Sequence, residues 1–154
     1  MYLIDTNIII SQLLVEYEQD EQTQLYRNFY NSIPFRQRVI PDFVLNEVEV
    51  FMRNVVPSRY GKCMLKRDLQ EMKDATTACI GHFIEECTLT SPSVAMIKLA
   101  FSYYKQLESA HYISFTDCLL LAVAKESGYT IISRDERLNE QAKGLRILFY
   151  QPNK

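Results

Sequence analysis

The sequence predicts an α/β fold, a three-layer α/β/α arrangement around a central, mainly parallel sheet. Short apolar or β-branched runs alternate with longer helical patterns along the whole chain. The 154 residues show no internal repeat, low-complexity tract or linker, which fits one domain spanning 1–154. Hydrophobic content of 47% against 23% charged is enough for a proper core without structural staples.

Tyr2 to Ile4 is a short β-type run ending at Asp5. Ile8 to Val15 reads as a helix, with Thr6 or Asn7 near its cap. Residues 16–38 are expected to be helical in part, broken at Pro34, and Val39 and Ile40 form a second strand. Pro41 and Asp42 open a helix to about Asn54. After interruptions at Pro57 and Gly61, residues 62–86 look helical and Thr88 to Thr90 form a strand. Ser91 and Pro92 start the next helix, with proline at its first position, and it runs to about Glu108. Ser114 to Ser127 is the clearest helix, closed by Gly128. Tyr129 to Ser133 and Arg146 to Tyr150 complete the strands.

The formal charge of −2 supplies no broad positive field for nucleic acid, so any such substrate must be gripped at a local site. Cys63, Cys79, Cys87 and Cys118 lack CxxC spacing and an accompanying His/Cys cluster, which argues against zinc and for reduced, mostly buried thiols. The MYLIDTN start has no basic n-region, and no apolar run reaches the ~18 residues of a membrane span. A cytoplasmic location without membrane contact is expected.

Four acids stand where surface acids do not belong. Glu47 falls on the stripe of Val44, Val48 and Phe51, whereas Glu49 lies opposite and can pair with Arg53 at i,i+4. A carboxylate on an apolar stripe is either a boundary residue paired with a cation or part of a site. Asp117 shares a face with Leu120, Leu121 and Ala124, yet Ser114-x-x-Asp117 also fits a capping box. Asp5 and Asp135 each follow an apolar strand almost directly, where ligands of parallel sheets bind and where helix caps also sit. All four can converge on one rim of the sheet, and gathered carboxylates call for an oxygen-ligated Mg²⁺ or Mn²⁺.

At this point the chain resembles a known family. LIDTN at 3–7, VLNEV at 44–48 and SFTDCLLLAVAKESGYTIISRDERL at 114–138 resemble, in order, the opening, second acidic motif and closing block of PIN domains. The nearest likeness is to VapC-type ribonuclease toxins of toxin–antitoxin pairs. The resemblance implies a metal-dependent endoribonuclease using one or two Mg²⁺ or Mn²⁺ ions. It carries over to Asp5, Asp117 and Asp135 as metal ligands, and to Glu47 as a ligand or a water-orienting group. Thr6, Asn7 and Ser133 become supporting hydrogen bonders, although Thr6 and Asn7 serve equally as helix caps. An antitoxin protein and a second copy of the chain are the expected partners. The alternatives are an inactive PIN-like module that binds RNA or protein, or a nuclease directed at DNA.

Signals for substrate grip are thinner. Arg134 and Arg137 flank Asp135 and either touch phosphate or neutralise the acids. Arg53 to Lys73 holds six basic residues against two acids, a pattern shared by phosphate tracks and solvated helix faces. Tyr103, Tyr104, His82 and His111 are read as structural.

Overall fold

The computed structural model describes residues 1–57, 66–107 and 113–152, with only the backbone of 66–68. Strand β1 (Tyr2–Ile4) lies between β2 (Arg38–Pro41) and β4 (Thr130–Ile132), and β3 (Thr88–Thr90) pairs with the far side of β2. All three pairings are parallel, with Leu3 opposite Val39 and Ile131, and Ile40 opposite Leu89.

Consecutive strand residues point to opposite faces. Leu3 with Ile4, Val39 with Ile40, and Ile131 with Ile132 are all fully buried, so both faces of the sheet are covered. The covering helices are α1 (Thr6–Leu13), α2 (Glu21–Ser32), α3 (Asp42–Val50), α4 (Lys66–Glu86), α5 (Val94–Leu107), α6 (Phe115–Ser127) and α7 (Glu136–Gly144). Helix α1 packs on α2, α3 and α4, whereas α5 packs chiefly on α6, and α6 packs on β4. Right-handed crossovers explain the division: the chain steps from β1 to β2 to β3, then returns across the sheet to β4. The expected three-layer α/β/α architecture is what forms.

Local differences have local causes. Asp5, not Thr6 or Asn7, caps α1, because its extended backbone lets its carboxylate accept from the Thr6 amide. The predicted helix to Asn54 ends as α-helix at Val50 and widens into a π turn over Phe51–Val55, where the Val56 N–H reaches back five residues to the Phe51 carbonyl. Pro92 does not open α5. Ser93 caps it instead, with its hydroxyl accepting from the Met96 amide, and proline stands just outside. The last predicted strand shrinks to one parallel bridge, Ile131 to Phe149, and Arg146, its expected first residue, takes a left-handed φ of 56° instead of an extended one. Of the cysteines, Cys79, Cys87 and Cys118 are free thiols, while Cys63 lies outside the described residues.

Gly128 closes α6 at φ 68°, in the left-handed region where a Cβ is penalised. No heavy atom would meet an added Cβ there or at Gly144, so only backbone strain separates the two positions. Gly128→Ala should therefore cost about 1 kcal/mol in chemical denaturation. Gly144→Ala, with no positive φ to satisfy, should be neutral or stabilising by up to ~1 kcal/mol.

Candidate active site

The site begins with what β1 and β4 deliver at their carboxyl ends. The Asp5 amide continues the ladder by donating to the Ile132 carbonyl at 3.1 Å, which sets Asp5 beside Ser133. Both residues are buried. Oδ2 of Asp5 accepts from the Ser133 hydroxyl at 2.5 Å and from the Asn7 amide at 2.6 Å, while Oδ1 accepts from the Thr6 amide at 2.6 Å. Asn7 also donates to Ser133 Oγ at 3.0 Å, and its Oδ1 accepts from the Arg134 N–H at 3.0 Å. One asparagine thus ties the start of α1 to the end of β4. Asn7 and Ser133 both hydrogen-bond the Asp5 carboxylate.

Glu47 comes from the second turn of α3. Thr6, in the first turn of α1, donates its hydroxyl to Glu47 Oε2 at 2.6 Å. The stripe argument is met: Val44 and Val48 are buried, Glu47 is half-buried, and Glu49 pairs with Arg53 on the other side. Among the described residues Glu47 pairs with no cation, and its hydrogen-bond partner is the Thr6 hydroxyl.

Asp117 does form the capping box, with Oδ2 accepting from the Ser114 amide at 2.8 Å and hydroxyl at 2.7 Å. Asp135 caps α7, with Oδ1 accepting from the amides of Arg137 at 2.8 Å and Leu138 at 3.2 Å. Capping and siting are therefore compatible. In Glu47, Asp117 and Asp135 one carboxylate oxygen is held by protein, and the other takes no hydrogen bond from the described residues.

The electrostatics bring the four together. Burial pushes the Asp5 carboxyl up from 3.8 to about 7, the Ser133 and Thr6 hydrogen bonds oppose the rise, and the charges of Asp117 and Glu47 add to it. Burial also raises Asp117, against its bonds to Ser114 and with the help of Asp135 and Glu47. Among the described residues no lysine or arginine forms an ion pair with any of the four. Nor are any three His, Cys, Asp or Glu side chains gathered there as a ready metal-binding group. The capping and hydroxyl bonds each engage one oxygen of Glu47, Asp117 and Asp135. The donors are all oxygen and uncompensated, which suits a hard divalent ion, and the three unheld oxygens are the ones able to turn inward.

The flanking arginines part company. Arg134 is committed to Glu18 at 2.8 Å and to the Thr23 hydroxyl. Arg137 is exposed, and its backbone N–H is what reaches Asp135. The Glu18–Arg134–Thr23 link escaped the sequence reading, as did Asp20 capping α2 through Thr23, and nothing in the spacing relates 18 to 134. Tyr103 is buried and Tyr104 packs edge-on against Phe115, so both are structural; exposed His82 meets Phe35 edge-on. His111, Arg59 and Lys62 lie outside the described residues, and the side chains of Lys66 and Arg67 are not described. Two concavities lie nearby. The larger, about 720 Å³ between α2, α7 and Phe149, includes none of the four acids; one of about 320 Å³ is lined by Glu47 and Thr6.

Because folded Asp5 binds its proton more tightly than unfolded Asp5, its contribution is full below about pH 4 and is lost as pH rises through 7. At ~1.4 kcal/mol per unit the ceiling is ~4 kcal/mol, less the pH-independent cost of ~1–2 kcal/mol for disturbed hydrogen bonds in Asp5→Asn. Metal-free Asp5→Asn should therefore gain stability relative to wild type as pH rises from 4.5 to 8 in urea titrations. A pH-independent difference would show that burial does not strain this carboxylate.

Comparison with known proteins follows the geometry. Three solved structures share the fold over nearly the full length of both chains. They are FitAcB from Neisseria gonorrhoeae (TM-score 0.69, 17% identity, 99% of this chain and 98% of that one), the VapC20 toxin of Mycobacterium tuberculosis, described as cleaving the sarcin-ricin loop (0.66, 15%, 92% and 95%), and VapBC2 of Rickettsia felis bound to a promoter DNA fragment (0.62, 14%, 99% and 98%). No curated protein sequence matches. The PIN domain family model matches residues 2–144, a span that holds all four acids and every strand of the sheet. On that match, the chain belongs to the PIN-domain family.

Proposed function

We propose that this chain is a divalent-metal-dependent endoribonuclease, acting as the toxin of a toxin–antitoxin pair. One observation carries the reading: a buried carboxylate, Asp5, is raised to about 7 by burial and by two neighbouring acids, with no cation paired to it among the described residues. A fold that keeps so costly a group needs a counter-charge, and family membership agrees with a nuclease.

Asp5, Asp117 and Asp135 are the proposed ligands for one or two Mg²⁺ or Mn²⁺ ions, with Glu47 as a further ligand or the group that orients the attacking water. When bound, the ion supplies Lewis-acid charge that makes water a better nucleophile and offsets charge on the scissile phosphate. The protein supplies order. Ser133 and Asn7 fix the Asp5 carboxylate, Thr6 fixes one oxygen of Glu47, and Ser114 and the start of α7 leave one oxygen each of Asp117 and Asp135 to turn inward. Arg137, exposed next to Asp135, is the proposed phosphate contact, since Arg134 is engaged by Glu18.

RNA as substrate rests on the likeness to VapC toxins, as does an antitoxin as partner. A second copy of the chain is a further proposed partner. Among the described residues no helix is long and apolar enough to cross a membrane, and a cytoplasmic location remains part of the proposal. That no three of these acids are gathered as a metal-binding group among the described residues favours one competing reading, a module that binds without cleaving. Titration calorimetry with Mn²⁺ separates the two, because the nuclease must bind the ion.

Purified protein should cleave a mixed RNA pool in Mn²⁺ or Mg²⁺ and spare a matched DNA pool. Asp5→Asn and Asp117→Asn should each lower the rate by at least ~100-fold, and Ser133→Ala should weaken metal binding by ~10–100-fold through Asp5. Undiminished cleavage in excess chelator would overturn the metal-dependent mechanism, and preference for DNA would overturn the substrate.

A further inference from the structure

The hollow of about 320 Å³ beside Glu47 is formed by Thr6, Asn46, Glu47, Val50, Phe51 and Val55. On helix α3 and its extension, residues 46, 47, 50 and 51 share a face, and the π turn over Phe51–Val55 brings Val55 onto the same wall. We propose that this hollow seats one nucleobase of the substrate strand next to the scissile phosphate, and that Asn46 reads its edge. The inference rests on the nuclease reading above.

Place is the first argument. Glu47 and Thr6, joined at 2.6 Å, are both a wall of the hollow and part of the carboxylate cluster, because Glu47 acts electrostatically on Asp5 and Asp117. A nucleotide whose phosphate lies among the acids must therefore place a base close to this wall.

The chemistry of the lining points to a base, not to phosphate. Among the described residues no lysine or arginine lines the hollow, and Glu47 would repel an anion. Val50, Phe51 and Val55 provide apolar and aromatic surface, which suits the face of a splayed base from single-stranded RNA. Asn46 is exposed, and its side-chain amide has no hydrogen-bond partner among the described residues. That amide offers a donor and an acceptor side by side, the complement of a base edge. The volume is at the small end of the ~300–1,000 Å³ of ligand sites, room for one base and not for a duplex.

The test is to digest a random-sequence RNA pool with the full chain in Mn²⁺ and sequence the new ends. Wild-type cuts should favour particular nucleotides at one fixed position beside the cleaved bond. Asn46→Ala should flatten that preference by roughly tenfold, mostly through loss at favoured sites, and Asn46→Asp should shift it, because the donor is gone and the acceptor remains. Both replace an exposed side chain, so folding is not at stake; Phe51→Ala, read alongside, should weaken cleavage at favoured sites as stacking is lost. If wild-type protein cleaves and either shows no nucleotide preference or keeps the same preference in both Asn46 variants, the hollow does not read a base, and an apolar side chain of a protein partner is left as its occupant. If wild-type protein does not cleave at all, the nuclease reading and this inference fall together.

Discussion

The structure turns on one unfavourable group: an aspartate carboxylate sealed at the carboxyl end of the central strand. Burial alone drives Asp5 toward its neutral form, and the charges of Asp117 and Glu47 push the same way. The surroundings answer with donors, from the Thr6 amide, the Asn7 side chain and the Ser133 hydroxyl. These hold the carboxylate in one orientation without neutralising it. The parallel sheet makes the arrangement possible, because β1 and β4 are neighbours although their residues stand more than a hundred positions apart in sequence.

In the other acids a structural duty leaves room for the proposed chemical one. Asp117 and Asp135 each spend one oxygen on a helix start, and Glu47 spends one on Thr6. A carboxylate has more acceptor capacity than one helix cap uses, so capping anchors the side chain while leaving an oxygen for a ligand. The cap reading is met for Asp117 and Asp135, and it leaves the proposed site reading open to them. Among the described residues no three of these acids form a coordination group, yet Glu47 and Asp117 act electrostatically on Asp5, and Glu47 and Asp135 on Asp117.

Much of this was legible in the sequence, and the reasons differ by residue. The strands were visible because both faces of the sheet are covered, which demands apolar runs such as Leu3-Ile4 and Ile131-Ile132. Glu47 stood out through helical periodicity against Val44 and Val48. Asp117, Asp135 and Asp5 needed the family's motif order, because local signals fit caps as well. Other features depend on contacts that no local pattern encodes. The pairing of Arg134 with Glu18 joins distant segments, and it removed a candidate phosphate contact that looked as good as Arg137 in sequence. The π turn at Phe51–Val55 left no mark in propensity, yet it shapes the wall beside Glu47. The final strand is only a single bridge at Phe149, and Arg146 at its expected start adopts a backbone conformation that its residue type does not signal.

The central claim is that Asp5 carries a strained carboxylate that a divalent cation relieves. Carbon-13 NMR of the side-chain carboxyl of Asp5, followed against pH with and without Mg²⁺, reads this directly. The account predicts a metal-free midpoint near 7 that drops sharply when Mg²⁺ is added. A midpoint close to the ordinary 3.8 that does not respond to Mg²⁺ would contradict it.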